Sequence, residues 1–195
     1  MNKSILLSII SIFAVVGLVG GFTAAYFSDQ GTSNNNVFGA GTMDLALSDD
    51  TPETDQDNVT ASFGGSNLGP GNCTGTSQLR VKNLGTVSGD HVEIAVVNNV
   101  TDNGLDSIPD MDAFLRIDTF NYDDVPIPLS NPNGNGIYDL DDLETTGVDN
   151  LPLTNIGGNH RIDLKVCLDE SAENALQGDN VDSDWTVTLN QNAGQ

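Results

Sequence analysis

Basic residues are scarce in this sequence: six Lys and Arg stand against 28 Asp and Glu, for a net charge of −22. A surface of that sign repels nucleic acid and anionic membrane, so neither is expected as a partner of the folded chain. Histidine is as scarce, with only His91 and His160 among 195 residues. A zinc peptidase of the usual kind places two histidines one helical turn apart with a glutamate between them, so that both imidazoles reach one ion while the acid activates water. No such pair exists here. His91 and Glu93 alternate along an expected strand and share a face opposite Val92 and Ile94, where two ligands could meet a metal. The third ligand is missing, and a solvated strand face is the simpler account. His160 follows Gly157-Gly158-Asn159 and reads as a loop residue. No serine sits in a G-x-S-x-G elbow and no P-loop occurs. With no catalytic constellation, the sequence reads as that of a non-enzyme.

Charge is also absent from the whole stretch between Lys3 and Asp29, and residues 5–19 are almost wholly apolar. One lysine, an apolar run and then Gly20-Gly21-Phe22-Thr23-Ala24-Ala25 make residues 1–25 a secretory signal, with cleavage expected after Ala24 or Ala25. A retained membrane anchor is the competing reading, because about 20 apolar residues can span a bilayer. A pilin signal cut ahead of the run fits less well, since the basic cluster and cut site before Ile5 are missing. Removing residues 1–25, which hold Lys3 and no acid, takes the charge to −23 on about 170 residues, a single-domain length. Such a charge resists close subunit packing unless salt, cations or strong backbone pairing offset it. Membrane contact is then confined to the stage before cleavage, and the mature chain is extracellular.

Cysteine is limited to Cys73 and Cys167. In an exported chain a bridge between them is the leading reading, and two buried free thiols the alternative. Closing so long a loop would contribute about 4 kcal/mol in the chain-entropy account. Asn58, Asn72 and Asn99 each open an N-x-T sequon and are candidate glycosylation sites.

Helical periodicity is nearly absent after residue 25. Alternation recurs instead at residues 37–47, 59–63, 78–82, 92–96, 114–120, 162–168 and 185–189, giving seven or eight short strands. Turn signals such as Gly69-Pro70-Gly71-Asn72 and Asn83-Leu84-Gly85 separate them. Two short helices are expected, over 140–145 and 171–177. The pattern predicts an all-β jelly-roll sandwich over 39–195, with an acidic surface loop at 49–57. Ahead of it, residues 26–38 carry few charges; they are either a loose terminus or a donor strand that pairs with an open edge on the next subunit.

One loop carries specific chemistry. In Asn131-Pro132-Asn133-Gly134-Asn135-Gly136-Ile137-Tyr138-Asp139-Leu140-Asp141-Asp142, oxygen-bearing side chains fall at positions one, three, five, nine and twelve, with glycine at six, as in an EF-hand-like or dockerin-like calcium loop. Asn131, Asn133, Asn135, Asp139 and Asp142 are the candidate calcium ligands. Asparagine at the first three positions and a short Asp142 at the last imply weak, millimolar-class binding. An Asn-Gly turn followed by a capped acidic helix is an equal alternative. The acids between Asp102 and Asp112 read as solvated loop.

Ala24-Ala25-Tyr26-Phe27-Ser28-Asp29, followed by Phe38-Gly39-Ala40-Gly41-Thr42-Met43-Asp44-Leu45, resembles the N-terminal signature of the TasA and camelysin family. Asn67-Leu68-Gly69-Pro70-Gly71-Asn72, Val81-Lys82-Asn83-Leu84-Gly85-Thr86 and the final Asp184-Trp185-Thr186-Val187-Thr188-Leu189 are similar to later motifs of that family. The resemblance implies a jelly-roll subunit of an extracellular pilus or biofilm-matrix fibre, a homopolymer whose subunits are linked head to tail by N-terminal strands. The donor would then be residues 26–38, with Tyr26, Phe27, Val37 and Phe38 as its apolar anchors. Low Lys and Arg content and the cysteine pair depart from the lysine-rich bacterial matrix proteins and sit closer to an archaeal bundling-pilus subunit, whose fibres associate side by side. Some relatives carry a metallopeptidase label, which ranks last here, behind a membrane-anchored binding module that does not polymerise.

Overall fold

The structure, a computed structural model, describes residues 2–21, 39–49, 54–60, 63–103 and 111–192. The chain divides into two compact units, Met1–Gly39 and Ala40–Gln195. In the first, the uninterrupted apolar run forms helix α1 (Lys3–Gly21), whose side chains from Ile5 to Val16 are exposed. Over the described residues no helix is long and apolar enough to cross a membrane. The expected cleavage point and the donor segment 26–38, with Tyr26, Phe27, Val37 and Phe38, lie outside the described residues.

The second unit is a two-sheet antiparallel sandwich. Its strands are β1 (Leu45–Ser48), β2 (Ser77–Asn83), β3 (His91–Thr101), β4 (Leu115–Tyr122), β5 (Val125–Pro126), β6 (Val148–Pro152), β7 (Asn159–Leu168) and β8 (Asn180–Asn190). One sheet runs β1-β2-β7-β4-β5 and the other β6-β3-β8. The only helices described in this unit are α2 (Leu140–Thr146) and two single 3₁₀ turns, Met111–Phe114 and Asn174–Leu176.

Alternation placed the core well where strands are regular. Val92, Ile94 and Val96 of β3 are buried, as are Leu79 and Val81 of β2. In β4 the parity changes: Leu115 and Ile117 are buried, then Phe120 and Tyr122. A bulge between Ile117 and Thr119 inserts the extra residue that turns Phe120 and Tyr122 to the same face as the first pair. The central strand β7 is covered on both sides, so Cys167 and Asp163 are buried along with Ile162, Leu164 and Val166.

Four expectations change. Of the stretch expected over 37–47, the described part from Gly39 on is strand only from Leu45, and the Leu45 and Leu47 side chains pack on the core. Of the stretch 59–63, the described residues Val59, Thr60 and Phe63 are not in a strand, although Val59 and Phe63 pack against the core. The helix expected over 171–177 shrinks to one 3₁₀ turn. Strands β5 and β6 were not expected, because a two-residue strand and the sequence Val148-Asp149-Asn150-Leu151-Pro152 carry no alternation.

The strand pairs are nested: β4 with β5, then β3 with β6, then β2 with β7. The same nesting carried outwards would pair β1 with β8, completing a second sheet of four strands. Instead β1 pairs with β2 on the opposite sheet. Among the described residues β8 pairs only with β3, so its other edge is open along eleven residues.

Candidate functional site

The open edge of β8 borders a cleft. Every second side chain of β8, from Val181 through Ser183, Trp185 and Val187 to Leu189, is half-buried, and the residues between them are exposed. Between this face and β7 lies a cleft of about 470 Å³ lined by Val59, Phe63, Leu140, Val166, Val181 and Trp185 among others. Phe63 sits 4.8 Å from the Trp185 ring, which meets Phe120 edge-on at 5.9 Å. An edge with no strand partner among the described residues, beside a cleft of mixed polar and apolar lining, is chemically suited to receive an extended peptide: the backbone supplies affinity, and alternate side chains enter the cleft. Trp185 is held by a chain of hydrogen bonds. Its Nε1 donates to Ser183 Oγ at 2.9 Å, Ser183 donates to Asn98 Oδ1 at 2.7 Å, and Asn98 Nδ2 donates to the Leu140 carbonyl at 2.9 Å.

Leu140 opens α2 and belongs to the Asn-rich loop, which the structure closes tightly. Asn131 Oδ1 accepts from Gly134 N at 2.7 Å, Asn133 Oδ1 from Asn135 N at 3.0 Å and Asn135 Oδ1 from Ile137 N at 2.9 Å. Gly134 and Gly136 take φ of 71° and 92°, the left-handed region that glycine reaches without strain. Asp139 is the N-cap of α2 and accepts from Asp142 N at 2.9 Å. The loop therefore is a capped turn, cross-linked by Asn135 Nδ2 donating to Asp139 Oδ2 at 2.7 Å and Asn133 N donating to Asp142 Oδ1 at 3.4 Å. Asp139 and Asp142 are 0% and 2% exposed. Burial first, and then the neighbouring Asp139 carboxylate, push the Asp142 carboxyl above its usual range.

His91 corrects its sequence reading. It is 3% exposed rather than solvated, because β6 and β8 flank the start of β3 on both sides. The ligand found missing in sequence comes from β6: donor atoms of His91, Glu93 and Asp149 all lie within 4.8 Å of one another. His91 Nδ1 is 2.9 Å from Asp90, while Nε2 is 3.3 Å from Glu93 and 3.5 Å from Asp149. The Asp90 and then the Glu93 hydrogen bonds hold the imidazole above its usual pKa. His160 is a strand residue, at the start of β7, stacked on Tyr122 and bonded to Asp123 at 2.6 Å.

A disulfide joins Cys73 to Cys167. It fastens the Gly69-Pro70-Gly71 turn to the end of β7, where Gly71 N and Leu168 N complete the seam with the Leu168 and Asn72 carbonyls. Asn58, Asn72 and Asn99 are all exposed.

The family model described as Camelysin metallo-endopeptidase matches residues 1–195. This chain belongs to the camelysin family. No curated protein matches it. The family description implies a metal. In this camelysin-family chain the His91, Glu93 and Asp149 donors would suit one divalent ion, with Asp90 orienting the imidazole through Nδ1. Such an ion would polarise a carbonyl or activate a water. The same geometry is complete without it, since a protonated His91 meets acids on both ring nitrogens. Of the two clefts beside β8, neither includes any of these three residues.

Proposed function

We propose that this camelysin-family protein is a structural subunit of an extracellular pilus or biofilm-matrix fibre, and that residues 26–38 of one copy complete the open edge of β8 in the next. The observation that carries the reading is the strand position left open beside β8 among the described residues, next to a cleft whose apolar part is formed by Val59, Phe63, Leu140, Val166, Val181 and Trp185. An added strand there would stand where the nesting calls for β1. Tyr26, Phe27, Val37 and Phe38 supply apolar side chains for the slot, and Trp185 with Phe63 offers an aromatic floor. Because donor and acceptor are different surfaces of one chain, the contact is heterologous and propagates head to tail. The apolar α1 sequence, charged only at Lys3 and followed by small residues, supports export, with residues 1–25 removed as a signal.

Negative-stain electron microscopy of the mature chain against a variant lacking residues 26–38 tests the reading. Fibres that vanish in the truncation, and a truncated subunit whose melting temperature rises on adding a peptide of residues 26–38, are the expected results. Fibres from both chains would sink strand donation, and fibres from neither would point to a monomeric surface-binding module.

A second reading follows from the convergence of His91, Glu93 and Asp149 and from the family description: metal-dependent peptide hydrolysis. It requires protease activity that a chelator removes and that His91→Ala abolishes while the fold survives. An active His91→Ala protein would eliminate it.

A further inference from the structure

Of the buried side-chain polar atoms in the loop 131–142, one lacks a hydrogen-bond partner. Asp142 is 2% exposed, and its Oδ2 is buried with no hydrogen bond, while its Oδ1 faces Asn133 N at 3.4 Å. Around it, Asp139 is fully buried and Asp141 carries a third carboxylate. No ion pair among the described residues reaches Asp139 or Asp142. What positive partial charge the loop oxygens receive comes from amides: Asn135 Nδ2 donates to Asp139 Oδ2 at 2.7 Å, and Asn131 Nδ2 donates to the Ile137 carbonyl at 2.6 Å. These amide hydrogens stand in for a cation. A buried carboxylate oxygen with no donor is costly, and the natural remedy in an all-oxygen loop is a metal ion.

We propose that residues 131–142 bind one calcium ion through side-chain oxygens of Asn131, Asn133, Asn135, Asp139 and Asp142 and the Ile137 carbonyl. The donor set decides the ion. Nitrogen and sulfur ligands are lacking, which disfavours zinc, and a flexible ring of six oxygens suits calcium better than the rigid octahedron magnesium demands. The ion supplies Asp142 Oδ2 with its missing partner and offsets the two buried charges. Three neutral asparagines set the affinity in the millimolar class found in extracellular modules.

The site also touches the cleft. Leu140 lies between ligands Asp139 and Asp142, lines the cleft, and accepts through its carbonyl the hydrogen bond that continues via Asn98 and Ser183 to Trp185. Calcium fixing the start of α2 therefore holds the aromatic floor for an incoming strand, and fibre growth becomes calcium-dependent. That consequence rests on the fibre reading; the site itself does not.

The test uses the full mature chain, stripped of metal. Terbium is the first probe, because Tyr138 lies inside the loop and can sensitise its luminescence; thermal melts with and without about 10 mM calcium chloride are the second. A dissociation constant of about 1 mM predicts a roughly tenfold gain in the folding constant at that concentration. Asp142→Asn should fold at least as well as the parent without calcium and lose the calcium response; Asn133→Ala, which leaves Asp142 in place, should weaken it. Identical melts with and without calcium, together with silent terbium, would overturn the site. Calcium binding with fibre growth indifferent to calcium would overturn the coupling and leave the site standing. Fibres absent under every condition would count against the fibre reading alone, since binding and melting still decide the site.

Discussion

A methyl group added at Gly85 would lie 2.2 Å from the Thr42 carbonyl oxygen and 2.7 Å from Met43 Cα, both backbone atoms that cannot swing aside. The buried Asn83 next to it explains the closeness: its Oδ1 accepts from Gly85 N at 3.0 Å and its Nδ2 donates to the Val87 carbonyl at 2.9 Å, folding residues 83–87 against the chain entering β1. Gly85→Ala should cost about 2 kcal/mol, the usual range for overpacking, and lower the melting temperature by about 6 °C. Acid sensitivity has a residue-scale origin too. Lys165, 2.8 Å away, holds the Asp118 carboxyl below its ordinary value, and Ser171 does the same for Asp169 through side-chain and backbone hydrogen bonds. A lowered folded-state pKa contributes stability above the unfolded value of 3.8 and loses it as pH falls through the folded one. Melting temperature should therefore drop as pH falls below about 4, and Asp118→Asn should flatten that drop. The Asn83-Leu84-Gly85 turn was readable in sequence because turn chemistry is local. The burial of His91 was not, since it depends on β6 and β8 flanking β3.

At the level of elements, regular strands announced themselves and irregular ones did not. The alternation of β2 and β3 placed Leu79, Val81, Val92, Ile94 and Val96 inside. The bulge in β4 defeats any fixed period, and Asp149 was missed as a neighbour of His91 because its strand, β6, is short and pairs at long range. Residues 59–63 mimic a strand because Val59 and Phe63 both reach the core, yet they do so from a loop. The Cys73–Cys167 bridge, its ends 94 positions apart in sequence, ties the loop around Gly71 to β7. Its reduction should remove about 4 kcal/mol if the chain-entropy account holds. For a chain of this size, that lowers the melting temperature by about 10 °C, measurable by calorimetry with and without reductant. The seam from Gly71 to Leu168 should loosen first, visible as faster amide exchange at those two positions than in β3.

The whole molecule must reconcile an open strand edge with a charge of −22, or −23 if residues 1–25 are removed as proposed. Those two features oppose each other. In the proposed fibre, backbone pairing along β8 would draw subunits together, while like-charged surfaces push them apart over about 8 Å at physiological ionic strength. On β8 the opposition is local as well, because Asp182 and Asp184 alternate with the half-buried Val181, Ser183 and Trp185 and point to solvent. Acids along an exposed edge blunt unwanted pairing, so a subunit stays monomeric until conditions screen them. Fibre growth, followed by light scattering at fixed protein concentration, should therefore accelerate as sodium chloride rises from about 0.01 to about 1 M, where the screening length shrinks from about 30 to about 3 Å. Asp182→Asn with Asp184→Asn should shift that acceleration to lower salt. Growth that slows with salt would mean charge attraction between subunits, which a chain with 28 acids and five bases after residue 25 would supply chiefly through bound cations. The salt series run with and without calcium separates screening from bridging.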